Sequence, residues 1–337
     1  MASANITKQA DLKSISLAGL LEGNADIVKD LVSSCKENGF FYLDFRDPST
    51  CEILKVVDDL SAVGKSVFKL PLEEKEEYST EKHLPSRLQG YKRAGCSVGP
   101  FAEKKDGYES FSIHNNGLFG QDTLQLPQAF EENLGLVERF ISEVNGYTDC
   151  ILSILSKALD LPYDLKNCHR KDKPSSANMA MLNYLPWGSS DEKIGNMAHT
   201  DMGTLTVVFS KSEGLQVLQP GIEEWTFIRP RAGHAVVNVG DSLNFLSKGA
   251  LTSSLHRVVP PPDSAGQDKF SCIYFLRPEF DAKFVSHDGK EMNSVEWHNQ
   301  KYALFREASL DAKQHGAMLT GRNGFLGATA QAIQAAQ

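Results

Sequence analysis

The stretch after Ser175 restricts the fold more than any other part of this sequence, because there the apolar period changes from helical to strand-like. Met179–Leu185, Thr204–Phe209, Leu215–Leu218, Trp225–Arg229, Ala235–Val239, Leu255–Val259 and Phe270–Leu276 are short and rich in β-branched or aromatic residues. Gly214, Pro220-Gly221, Gly233, Gly240 and Pro260-Pro261-Pro262 separate them. Strands this short expose alternate side chains on two faces and cannot enclose a core singly. Regular spacing with turn chemistry between them predicts two facing sheets, as a sandwich or jelly-roll barrel.

The part before Ser175 is mainly helical. Asn24 is placed to cap a helix running to about Asn38, with Ile27, Leu31, Val32 and Cys35 on one stripe and Gly39 as its stop. Phe40 to Leu43 reads as a buried strand. Thr50–Phe68 repeats the helical period, the charged run Glu73 to Glu77 reads as a solvated helix face, and Pro127–Leu159 carries a long apolar stripe typical of a packing helix. Ser294 to about Met318 is predicted helical, and the small, polar tail beyond Gly321 is expected to fray.

Composition excludes several classes. With 41% hydrophobic residues in 337 the chain can bury a large core, which rules out a disordered or disulfide-stapled protein. Its 43 acids and 35 bases give a formal charge of −8 without long runs of either sign, which argues against a nucleic-acid partner. The six cysteines form no CxxC pair, and the N-terminus lacks the apolar core of a signal peptide. No stretch approaches the roughly 20 apolar residues that cross a bilayer. A cytoplasmic protein without membrane or obligate protein partner is expected.

His199-Thr200-Asp201 is the first candidate for chemistry. Residues two apart on a strand share a face, so if His199 and Asp201 open the strand near Thr204 they can chelate one cation. A His-x-Asp triplet arises by chance in a chain with nine histidines, and a lone histidine such as His256 is more often an ordinary core residue. The pattern gains meaning from the pair: a jelly roll would bring His256 beside His199 and Asp201. Two imidazoles and one carboxylate, with the other positions of the metal open, suit iron(II) oxygen chemistry better than a closed zinc site.

Further matches extend along nearly the whole chain. They are Glu37-Asn38-Gly39-Phe40-Phe41-Tyr42, Leu70-Pro71-Leu72-Glu73-Glu74-Lys75, Gln89-Gly90-Tyr91, Glu109-Ser110-Phe111, Ala198-His199-Thr200-Asp201, Gly214 to Leu218, Val237-Asn238-Val239-Gly240-Asp241, His256-Arg257-Val258 and Tyr274 to Glu279. In these motifs and their order the chain resembles the isopenicillin N synthase-like family of iron(II) and 2-oxoglutarate-dependent oxygenases, most of all its fungal members. The resemblance implies an α+β fold with a double-stranded β-helix (jelly-roll) core at 176–290. It further implies an N-terminal helical and mixed cap at 12–130, packing helices at 131–175 and a C-terminal helix and tail at 291–337.

It also implies Fe(II) held by His199, Asp201 and His256, with 2-oxoglutarate and O2 as cosubstrates and ascorbate as an auxiliary reductant. Where the family grips 2-oxoglutarate with an Arg-x-Ser pair, this sequence has Lys269-Phe270-Ser271, and Tyr184 stands where a tyrosine helps orient that cosubstrate. An ammonium keeps the charge but loses the planar two-point fork. Arg257 and Arg277 are alternative cations, although alternation from His256 turns Arg257 away from the metal. Asn238 and Asp241 read as turn and backbone-satisfying residues, and His234, His287 and His298 as structural or surface residues. By the same resemblance Met181, Phe275, Phe101, Phe111 and Leu205 are candidates to line the pocket of a small organic substrate, in fungal secondary metabolism. Two alternatives stand beside this reading: an iron oxidase of the same family that uses no 2-oxoglutarate, and a non-catalytic binding protein on the same fold.

Overall fold

Alternation along the strands decides which side chains meet the helices and which meet the site. The computed structural model describes residues 8–84, 87–98, 105–186, 195–222, 224–261, 269–287, 289–306, 316 and 318–321. Its strands in the first half are β1 (Ser14–Ser16), β2 (Phe40–Asp44), β3 (Gly90–Lys92) and β4 (Tyr108–His114). The second half forms β5 (Asn178–Tyr184), β6 (Asn196–His199), β7 (Leu205–Ser210), β8 (Leu215–Leu218) and β9 (Thr226–Phe227). It continues with β10 (His234–Val239), β11 (Leu255–Val258) and β12 (Lys269–Leu276).

An eight-stranded sheet runs in the order β1-β2-β10-β7-β12-β5-β4-β3, and a four-stranded sheet in the order β6-β11-β8-β9. In β5, β7 and β12 one set of side chains, among them Met179, Met181, Val207, Phe209, Cys272 and Tyr274, packs on the helices Glu52–Phe68 and Leu134–Ala158. Val56, Leu60, Phe140, Ile141 and Val144 meet them from those helices. Each large apolar side chain buried this way stabilises the fold by roughly 1.5–3 kcal/mol. The alternate set, Ala180, Leu182, Tyr184 and Ile273, faces the smaller sheet, where Val258 and Leu215 close the far side. The jelly roll therefore has a dry helical side and a chambered side.

Local signals are realised as the chain chemistry requires. Asn24 Oδ1 accepts from the amides of Asp26 (3.0 Å) and Ile27 (3.3 Å) and caps the helix Ala25–Glu37. Gly39 ends that segment at φ +65°, and a Cβ there would lie 2.0 Å from the Thr252 carbonyl oxygen, so both conformation and contact demand glycine. The run Glu73 to Glu77 departs from its expected exposure at one residue. Lys75 is buried, donating to Glu109 Oε2 (2.8 Å) and the Phe68 carbonyl (3.0 Å). The C-terminal helix is described over Ser294–Arg306, and the tail lies outside the described residues.

Two features were not anticipated. The N-terminal region supplies four strands of the larger sheet, β4 pairing directly with β5, where only β2 was expected. And β6, too short and polar to stand out, inserts His199 into the smaller sheet.

Candidate metal centre

His199 ends β6, and His256 lies opposite it in the antiparallel neighbour β11, with ring centroids 4.4 Å apart. Asp201 does not share a strand with His199, contrary to expectation. It sits in the turn that carries the chain from the smaller sheet into β7 of the larger one. The turn brings its Oδ1 to 3.4 Å from His199 Nε2 and 3.7 Å from His256 Nε2. The three donor atoms all lie within 4.8 Å of one another.

Neighbouring groups prepare these donors. His199 Nδ1 is 2.7 Å from the Met197 carbonyl and His256 Nδ1 is 3.2 Å from that of Ser254. A carbonyl only accepts, so the hydrogen resides on Nδ1 and the Nε2 lone pair faces Asp201. Asp201 Oδ2 accepts from Thr206 Oγ1 (2.5 Å) and Asn238 Nδ2 (2.8 Å), which leaves Oδ1 for a cation. Burial opposes ionisation of Asp201, yet His256, His199 and Asn238 together hold its carboxyl far below the usual range. Burial, with His199 adding to it, pushes His256 down to about 4, so it is neutral at pH 7. Two imidazoles and one carboxylate on one side of a common point fit a first-row divalent cation such as iron(II). Gly240 permits this loop, since a Cβ there would lie 2.2 Å from the Gly203 carbonyl and 3.0 Å from that of Asp201.

Asn238 thus has a larger role than the turn residue it was read as: it fixes the carboxylate. Replacing Asn238 with Ala, or Thr206 with Val, should weaken divalent-metal affinity about 10–100-fold while the fold persists, as metal titration would measure. Asp241 likewise departs from its expected role of satisfying backbone. Its Oδ2 accepts from Lys301 Nζ and from Thr200 Oγ1 (3.2 Å), and its Oδ1 from Ser253 Oγ (2.8 Å). Lys301 comes from the C-terminal helix, and no sequence motif marked it.

His199 and Asp201 line two chambers, and His256 lines the first of them. The first lies inside the jelly roll and is lined by Tyr184, Ser271, Ile273 and Lys269 beside the triad. Lys269 is 3% exposed, so it is no solvated strand-end residue. Its Nζ donates to Ser210 Oγ (3.2 Å) and the Ser212 carbonyl (3.1 Å), and burial lowers its pKa to about 8. Tyr184 is its cross-strand partner, with Nζ 5.8 Å from the phenol ring centroid. The second chamber lies toward β3, β4 and the C-terminal helix, and Tyr108, Phe275, Arg277, Tyr302 and Phe305 line it.

Of the expected pocket residues only Phe275 lines the chambers. Met181, Leu205 and Phe111 are buried in the helix-facing core instead. Alternation explains this: Tyr184 faces the chamber, so Met181, three residues away, faces the opposite side, as Leu205 does beside the inward Thr206. Phe101 lies outside the described residues. Arg257 points away as expected, donating to Gln216 Oε1 (2.8 Å) over the Trp225 ring. Arg277 is no alternative to Lys269, since it belongs to the second chamber. His298, read as structural or surface, is buried and lines that chamber too. His234 is structural, its Nε2 3.0 Å from Ser14 Oγ. His287 packs against Phe245.

Comparison with known proteins follows the same division. Residues 176–278 match the 2OG-Fe(II) oxygenase superfamily, and residues 11–130 match the family described as non-haem dioxygenase in morphine synthesis N-terminal. The 2-oxoglutarate-dependent dioxygenase gloE of Glarea lozoyensis is 37% identical, over 93% of this chain and 94% of that protein. A second such dioxygenase, FG08081 of Gibberella zeae, is 33% identical over 93% of both. The chain belongs to the 2OG-Fe(II) oxygenase superfamily. As a member it is a non-haem iron dioxygenase that uses 2-oxoglutarate. The fold agrees with solved 2OG-Fe(II) oxygenases. Neurospora crassa T7H with alpha-KG and thymine superposes with a TM-score of 0.71 at 20% identity, over 90% of this chain and 99% of that one. JOX2 in complex with 2OG, Fe and JA gives 0.69 at 20% identity, over 94% and 92%. Among the described residues no helix is long and apolar enough to cross a membrane.

Proposed function

We propose that His199, Asp201 and His256 hold iron(II), that Lys269, Ser271 and Tyr184 hold 2-oxoglutarate in the inner chamber, and that a small organic metabolite of fungal secondary metabolism is oxidised from the second chamber. One observation carries this reading. His199 and Asp201 line both chambers, His256 lines the inner one, and the inner chamber is also lined by a buried lysine with no acid within ion-pair distance among the described residues.

Iron(II), when bound, would let O2 act as the four-electron oxidant, two electrons coming from conversion of 2-oxoglutarate to succinate and CO2 and two from a substrate C–H bond. The chain's own residues do the rest. Thr206 and Asn238 keep Asp201 in one orientation, and the carbonyls of Met197 and Ser254 keep both imidazoles on the tautomer that can ligate. Lys269 meets the distal carboxylate with a point charge, where a guanidinium would give a planar fork. Ser271 and Tyr184, on the same chamber wall, add hydroxyl donors. Leu182, Ile273 and Val258 line the same chamber with apolar surface, which limits the water that reaches the reacting centre.

Succinate should form in step with product, and product without added 2-oxoglutarate would overturn the reading. Lys269→Met should raise the dissociation constant for 2-oxoglutarate about 10–100-fold, the range of a charge-assisted contact, with Lys269→Arg restoring most of it. The pH dependence has a definite sign. Free Lys269 loses its proton as pH rises through about 8, so 2-oxoglutarate affinity should be flat below that point and fall above it, a slope absent in Lys269→Arg. Anaerobic titration of the iron(II) protein, read by the visible charge-transfer band of the chelate, measures both.

A further inference from the structure

We infer that Arg277 is the recognition point for a carboxylate on the substrate, so that the second chamber selects small organic acids with an apolar body over their neutral counterparts. The inference rests on the proposed division into cosubstrate and substrate chambers and adds the class of substrate.

Charge bookkeeping within the second chamber leads there. Among the described residues three lysine or arginine side chains line it, Arg87, Lys92 and Arg277. Arg87 pairs with Glu81 at 3.0 Å, and Lys92 with the buried Asp106. Arg277 pairs with no acid among the described residues. Its Nη1 donates to the Ser176 carbonyl (2.6 Å) and to Asn178 Oδ1, both neutral, and its Nε is buried without an acceptor. The guanidinium lies over the Phe275 ring at 4.8 Å, which holds it in place but supplies no negative charge. Among the described residues the one carboxylate lining the chamber with it, Asp201, is committed to the metal.

A cation removed from water is costly unless an anion meets it, and among the described residues no protein anion does so here. Burial accordingly lowers the Arg277 pKa to about 10, still charged at pH 7. Among the described residues the surplus of the chamber is one positive charge, which suits a monoanion such as a carboxylate and leaves a phosphate dianion under-compensated. The wall also presents Tyr108, Tyr302, Phe305, Met202 and Leu88, which suits a ring-bearing or aliphatic body, beside the polar side chains of Ser97, Ser110, Ser112 and Asn196. The inner chamber repeats the arrangement with Lys269, so each side of the metal carries one buried cation whose partner comes with a ligand.

The test uses the full chain loaded with iron(II) and saturating 2-oxoglutarate under nitrogen, so that the Lys269 chamber is filled. Phenylalkanoic acids with one to four methylenes and their amides are titrated by calorimetry. At least one acid should bind about tenfold or more tightly than its amide, Arg277→Gln should remove that preference, and Arg277→Lys should retain part of it. If no acid outbinds its amide, or if the preference survives in both Arg277→Gln and Arg277→Met, the inference is wrong. Should the variants not fold, the acid-to-amide ratio of the wild-type protein still decides. The visible band formed on adding 2-oxoglutarate keeps the two readings apart. A band with no acid preference rejects the carboxylate site alone, and no band rejects the cosubstrate assignment while the acid–amide comparison on the iron-loaded protein still judges Arg277.

Discussion

His199→Ala is expected to lose iron and turnover together while the protein remains folded. The substitution removes one of three donors that lie within 4.8 Å of one another, and Oδ1 of Asp201 with Nε2 of His256 cannot enclose a cation alone. Disturbing a residue that merely orients a ligand costs about 10–100-fold in affinity, so deleting the ligand should leave less than about one hundredth of the activity. Folding should be little affected, because His199 lies at the chamber boundary and contributes no large apolar side chain to the helix-facing core. Its melting behaviour should differ from wild type by about 1 kcal/mol or less. Metal analysis of the purified variant, with circular dichroism melts and succinate assays, measures all three quantities. Stoichiometric iron with undiminished turnover would remove His199 from the ligand set.

The largest stability effect is expected at Lys301. This ammonium and Asp241 are both fully buried, and Lys301 Nζ also donates to Thr200 Oγ1 at 2.7 Å. Asp241 in turn donates its amide to the Asp201 carbonyl at 2.7 Å. Lys301→Ala leaves a buried carboxylate with no cation, which costs about 3–5 kcal/mol, whereas removing both charges costs far less. The single variant should therefore melt on the order of 10 °C lower, and Lys301→Met combined with Asp241→Leu should recover much of the loss. Because the pair grips Thr200, between His199 and Asp201, iron affinity should fall in the single variant as well. Calorimetric melts and metal titration of both variants test this, and a single variant within 1 kcal/mol of wild type would contradict it.

Much of this architecture was legible from the sequence for identifiable reasons. Turn glycines and prolines bounded the short strands after Ser175, and β-branched and aromatic residues filled them, so β5, β7, β8, β10, β11 and β12 fell close to their expected positions. Asn24 and Gly39 carried local rules that tertiary packing had no cause to override. What escaped was either very short or relational. β6 has four residues, too few to carry a period, whereas β4 alternates over Ser110-Phe111-Ser112-Ile113, a signal that went unread. Asp201 was grouped correctly with His199 for the wrong reason: a turn between sheets, and no shared strand, brings them together. The misplacement of Met181 was avoidable, because its odd separation from Tyr184 already set the two on opposite faces. Lys301 and Thr206 could not be assigned from pattern alone, since each matters through a contact far along the chain or across a sheet.

The pairing of β4 with β5 has a consequence for how such an enzyme can change. A region often drawn as a separable N-terminal module here shares one continuous hydrogen-bonded ladder with the catalytic half. It cannot be cut away or exchanged without opening the edge of β5, the strand that carries Tyr184. New substrates therefore have to be accommodated by changes at the rim, in side chains such as those around Arg277 and on the C-terminal helix, while the frame that joins the two halves is inherited whole.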